Sequence, residues 1–213
     1  MKNTLLALAV LAGTAHADAK NEVAIGSFDR AMHASSANAV TADSLGGGVI
    51  GYARKLELGL TPRLQTWATG GLAIGGAEGT MFSTLTTELD TLSVSAGGRA
   101  RYTVWRNLRV GGRLDLGMAR AALTIREGDR ELYDQGWGMT ATAAAALDLL
   151  AIASARFQLG VRLELGYTLT SAIELAPAEA NDAATIQLEM SQASLGSLDL
   201  GGKFFSLTVL SQF

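Results

Sequence analysis

Residues 157–170 read FQLGVRLELGYTLT, and their alternation decides the fold. Phe157, Leu159, Val161, Leu163, Leu165, Tyr167 and Leu169 share one parity, while Gln158, Gly160, Arg162, Glu164, Gly166, Thr168 and Thr170 share the other. Side chains on a strand point alternately to opposite faces, so this segment has one apolar face and one polar face. A helix would mix the two sets around its circumference. The same period of two recurs in residues 92–104, 110–118 and 137–149, whose polar faces carry Arg99 and Arg101, then Arg113 and Asp115, then Asp148.

Extending the pattern places eight strands, at roughly 21–31, 46–57, 62–76, 91–105, 108–125, 137–150, 155–174 and 195–213. Strand one is the least regular, with Val23 and Ile25 on one parity and Phe28, Arg30 and Met32 on the other. Connections near 58–61, 106–107 and 151–154 are short. Those at 32–45, 77–90, 126–136 and 175–194 are long and rich in small, polar and acidic residues. The expected fold is therefore all-β, an eight-stranded antiparallel up-and-down transmembrane β-barrel with both termini on the short-turn side and four long loops on the other. Phe157 and Tyr167, ten residues apart on one face, span about 25 Å along the axis of tilted strands, the height of an apolar membrane band. Trp105, Trp137, Phe157 and Tyr167 are placed to form aromatic girdles at its two edges.

Composition agrees. Hydrophobic residues make up 48% of 213, with a mean hydropathy of +0.23. Yet beyond the N-terminus no run approaches the roughly 18–20 apolar residues of a spanning helix. The absence of cysteine excludes disulfides, thiolate metal sites and a lipoprotein anchor. A net charge of −3 argues against nucleic acid as a partner. No metal-ligand cluster, zinc spacing or phosphate-binding glycine loop occurs, so neither metal nor cofactor is expected. Lys2, the apolar run Leu5–Ala12 and Ala15-His16-Ala17 read as a cleaved signal peptide over 1–17, leaving a barrel domain at 18–213.

The polar faces point to the interior and hold Arg99, Arg101, Arg113, Asp115, Asp148, Arg162 and Glu164. Isolated charges in low dielectric are costly, so these should pair across strands. An eight-stranded barrel is only wide enough to be filled by its own side chains, which favours a plug over a conduit. Acidic residues of the outer connections, including Glu127, Asp129, Glu131 and Asp134, read as solvated surface ahead of a cation site.

The C-terminus carries a resemblance. Phe205, Leu207, Val209, Ser211 and Phe213 alternate up to a terminal phenylalanine, which resembles the signal by which outer-membrane barrels are recognised by their assembly machinery. Ser211 departs from the usual hydrophobic residue, and Phe204 breaks the alternation in a way that suggests a bulge. The whole of 18–213 resembles small eight-stranded barrels of the OmpA/OmpX/OmpW type. That resemblance implies the outer membrane of a Gram-negative bacterium, with its lipids, lipopolysaccharide and barrel assembly machinery as partners, and a monomer. The expected function is a non-enzymatic envelope scaffold presenting four extracellular loops. A narrow channel for small or apolar solutes is the alternative that OmpW implies. A lower alternative is an outer-membrane lipid hydrolase, because His33-Ala34-Ser35 is similar to the His-x-Ser pair of a lipid A deacylase family, although Ser36 stands where that family has Asn. A secreted lipocalin-like barrel would turn the apolar rows inward around a ligand.

Overall fold

A computed structural model describes residues 19–33, 37, 41, 44–61, 63–81, 85–128, 130–154, 156–177 and 196–213. The signal-peptide reading therefore lies outside the described residues. Among them are eight long strands: β1 Asn21–Met32, β2 Ser44–Thr61, β3 Leu64–Met81, β4 Leu85–Trp105, β5 Leu108–Glu127, β6 Arg130–Ala153, β7 Gln158–Thr170 and β8 Gly202–Gln212. Each pairs antiparallel with its neighbours in sequence, and β1 pairs with β8 from Glu22↔Gln212 to Met32↔Gly202. The ring has no open edge over that span. It is an eight-stranded up-and-down barrel.

The cylinder is built inside out relative to a soluble protein. Leu114, Leu116 and Met139 point outward and are about seven-tenths exposed (70%, 71% and 70%), whereas Arg162 and Arg101 point inward at 1% each. The lipocalin arrangement, greasy inside and polar outside, is the reverse of this one. β1 alternates without a break. Glu22, Ala24, Gly26, Phe28, Arg30 and Met32 face the lumen, while Val23, Ile25, Ser27, Asp29 and Ala31 face out. Its apparent irregularity arose because two large apolar residues, Phe28 and Met32, sit on the inner face.

Two expectations need correction. Phe204 is not a bulge, because β8 runs in unbroken register against both β1 and β7, with Phe204 on its inner face. Register shifts fall instead at Leu56/Thr61, Thr103/Trp105 and Leu150/Ile152, all near the rim with the short turns. Segments 77–90 and 126–136 are mostly not loops. β3 and β4 continue until Met81 faces Leu85, and β5 and β6 until Glu127 faces Arg130. Polar residues there conceal a continuing alternation, since Thr87, Leu89, Ala121 and Leu123 are buried inward while Glu88 and Asp90 point outward. Gly128, with φ +59°, supplies the left-handed residue that so tight a hairpin requires.

β7 also ends earlier than expected. After Thr170 the chain leaves the barrel wall, and Ile173–Glu174 pairs with Ser197–Leu198, while Ala176–Pro177 pairs with Asp134 and Gln135 of β6. Gly136 and Gly138 make room for this turn inward. A Cβ at Gly136 would overlap the Glu174 carbonyl, and one at Gly138 would press on the Ile173 side chain. Gly136→Val is expected to push the segment off the wall and cost about 1–3 kcal/mol, the usual range for overpacking. Urea unfolding in lipid vesicles measures it.

Candidate functional site

The lumen holds the largest group of buried charges among the described residues, and it divides into three layers. In the half nearer the short turns, four arginines and four acids interlock. Glu22 is the hub. Its carboxylate accepts five hydrogen bonds: from Arg99 Nη1 at 2.9 Å, Arg101 Nη2 at 2.6 Å, Arg162 at 2.8 and 3.1 Å, and Gln212 Nε2 at 2.7 Å. Arg162 is gripped from the other side by Asp148, which accepts from Nε at 2.6 Å and from Nη2 at 2.9 Å. Two carboxylates thus engage the planar fork of one guanidinium, the geometry in which arginine pairs most strongly.

The remaining charges extend this knot. Glu164 bridges Arg99 and Arg113, each at 3.2 Å, and Arg113 also donates to Asp115 at 2.8 Å. Arg101 approaches Asp148 at 3.5 Å and lies 4.5 Å above the Trp67 ring. Thr69 donates to Asp115 at 2.7 Å, and Ser206 to Glu164 at 3.3 Å.

Register explains why these partners meet. Asp148 stands opposite Arg162, Glu164 opposite Ser206, and Glu22 opposite Gln212. Asp115 stands opposite Gly97, where any Cβ would overlap Asp115 itself and the Leu114 carbonyl. Only glycine lets the two strands approach so closely there. All seven charged residues named from the sequence are therefore in the lumen and within one network. Glu22, Trp67, Arg109 and Gln212 were missed. The parity of β1 was the available signal for Glu22, since it shares a face with Gly26 and Arg30.

Against the ionic layer, and lined by six of its eight charged residues, lies a cavity of about 110 Å³ whose other lining includes the hydroxyls of Ser93, Ser95, Thr140 and Thr142, and Arg30. At the far rim an apolar cap closes the cylinder. Met32, Leu45, Leu89 and Leu123 point inward from the strands and pack with Ile173, Leu175, Leu198 and Leu200 from the inturned segment.

The other named residues lie outside the lumen. Trp105 and Trp137 are exposed, near opposite ends of the wall, and Tyr167 faces outward against the His33 ring, with centroids 5.9 Å apart. Phe157 is half-buried at the turn before β7, where its amide donates to Ser154 Oγ at 3.0 Å and its carbonyl accepts from the Ser154 amide at 3.1 Å. Phe205, Leu207 and Val209 form an exposed row on the outside of β8, and Phe213 follows the strand, its carbonyl accepting from the amides of Lys20 and Asn21. Ser35, like Asp129, Glu179, Asp182 and Glu189, lies outside the described residues. Of the other loop acids, Glu131 pairs with Arg126 at 3.3 Å and Asp134 is buried.

Among the described residues no helix is long and apolar enough to cross a membrane. A closed ring of strands can, because it satisfies every backbone group internally, and here hydrocarbon-type side chains cover its outside. The fold and its lumen define a transmembrane β-barrel of the outer-membrane kind.

No protein-family model matches the chain, and no curated protein matches its sequence. Solved structures do align with it. The attachment invasion locus protein Ail of Yersinia pestis is 10% identical over 92% of this chain and 97% of that one, with a TM-score of 0.47. The translocator domain of the autotransporter NalP from Neisseria meningitidis is 14% identical over 98% and 66%, with a TM-score of 0.39. The N-terminal β-barrel domain of Pseudomonas aeruginosa OprF is 15% identical over 91% and 98%, with a TM-score of 0.35.

Proposed function

We propose that this chain is a non-enzymatic scaffold of the Gram-negative outer membrane, a monomeric barrel with a closed lumen that holds its far rim toward the cell exterior. The observation that carries this reading is the double closure of the lumen, by a neutral knot of ion pairs below and an apolar cap above. A conduit would need neither. In this reading residues 1–17 direct export, the outer row of β8 with Phe213 serves assembly, and the exposed apolar wall stands among outer-membrane lipids and lipopolysaccharide. The long hairpins β3–β4 and β5–β6 then project beyond the bilayer as surface features.

Planar-bilayer recording of the purified barrel tests it. The expected trace is silent. Discrete conductance steps from the parent protein, shifted by Arg99→Gln or Arg113→Gln, would establish the channel in its place.

A further inference from the structure

We propose that the lumen cavity is a binding site for one small oxyanion, a free phosphate, sulfate or short carboxylate, held by Arg30. The four arginines of the ionic knot are matched by its four acids. Arg109, near the short-turn rim, donates to Gln212 at 3.0 Å. Arg30 stands apart from all of them. It lies eight residues up β1 from Glu22, about 20 Å along the axis for a strand tilted near 40°.

Among the described residues Arg30 has no ion pair. Its Nη1 donates to the Leu200 carbonyl at 3.3 Å, its guanidinium lies 5.8 Å from the Phe28 ring centroid, and its buried Nε has no partner. Asp29, its neighbour in sequence, points out of the barrel and cannot serve. Asp134, a buried acid of the far rim, makes its own interaction there.

A cation enclosed in a membrane-spanning wall without a counter-charge is costly. Arg30 lines the cavity, and so do the hydroxyls of Ser93, Ser95, Thr140 and Thr142, which can all donate; the knot contributes Glu22, Asp115 and Glu164 to the same lining, beside Arg99, Arg113 and Arg162. Each of those carboxylates is already paired with an arginine of the knot, so the uncompensated charge facing the cavity is that of Arg30, and its matching ligand is compact, acceptor-rich and negative. A volume of about 110 Å³ accommodates several water-sized groups, enough for a tetrahedral anion but too little for a lipid with its glycerol and chains. The site rests on the barrel reading and needs entry of the anion from one side only, which a lumen that does not conduct still permits.

Titration of the folded barrel in neutral detergent with inorganic phosphate, at constant ionic strength, tests the assignment calorimetrically. One saturable site is expected, weakened about tenfold or more by Arg30→Gln and largely kept by Arg30→Lys. Heat-modifiable gel migration verifies that each variant is folded. Crystals grown in bromide provide a second readout, with an anomalous peak expected beside Arg30 in the parent and absent in Arg30→Gln. Absence of saturable binding, or a lumen holding only water, would overturn the proposal. Displacement of phosphate by short-chain phosphatidic acid would do so too, because it would show that a lipid headgroup reaches the site.

Discussion

Glu22→Ala is expected to destabilise the barrel by about 3–5 kcal/mol or more, the range for stripping one partner from a buried ion pair. The effect should reach the upper end, because one truncation leaves Arg99, Arg101 and Arg162 facing each other with one fewer anion between them. Gln212 would lose its acceptor as well. The loss arises from what remains, so removing a cation at the same time should recover part of it. Glu22→Ala with Arg162→Met is therefore expected to be more stable than Glu22→Ala with Arg162 intact. Reversible urea unfolding in lipid vesicles measures both. If Glu22→Ala costs less than 1 kcal/mol, the hub does not hold the lumen together.

Leu114→Arg is expected to cost about 2–4 kcal/mol in a bilayer, the penalty for a cation on the lipid face of a barrel near its midplane. Leu114 suits this test because it stands between Gly98 and Ala143 on the adjoining strands, so a longer side chain meets no steric obstacle. In a barrel surrounded by water the same exposed substitution would change stability by no more than about 0.5 kcal/mol. Vesicle unfolding of Leu114→Arg beside Leu114→Ala separates the charge penalty from lost apolar area. Equal costs for the two would remove the membrane from the account of this fold.

The alternation in residues 157–170 was legible because charge and grease fell cleanly on opposite parities. The strands around Arg99, Arg113 and Asp148 were legible for the same reason. Glu22 was not, since the outer row of β1 passes from Val23 and Ile25 to Ser27 and Asp29, and its inner row carries Phe28 and Met32. Those two residues belong to the cap, and an apolar cap inside a barrel defeats the rule that greasy residues face lipid. The far ends of β3–β6 were read as loops because Glu88, Asp90 and Arg126 face solvent beyond the apolar band. Partner choice within the lumen was beyond single-strand reasoning. Arg113 reaches Glu164 across the lumen, past β6, and only the stagger accumulated around a closed ring fixes such a contact.

The seam between β1 and β8 has a consequence for biogenesis. Glu22 and Gln212 are 190 residues apart in the chain, so the last pairing joins segments from nearly opposite ends of the polypeptide. Such high contact order makes closure slow, and the ribbon's two margins stay open to stray partners until it happens. An apolar wall that finds its solvent only in lipid adds to the hazard. A holdase that covers the wall before closure is therefore expected to lower aggregation, and refolding without one should lose chain to aggregate while leaving the finished cylinder unaltered.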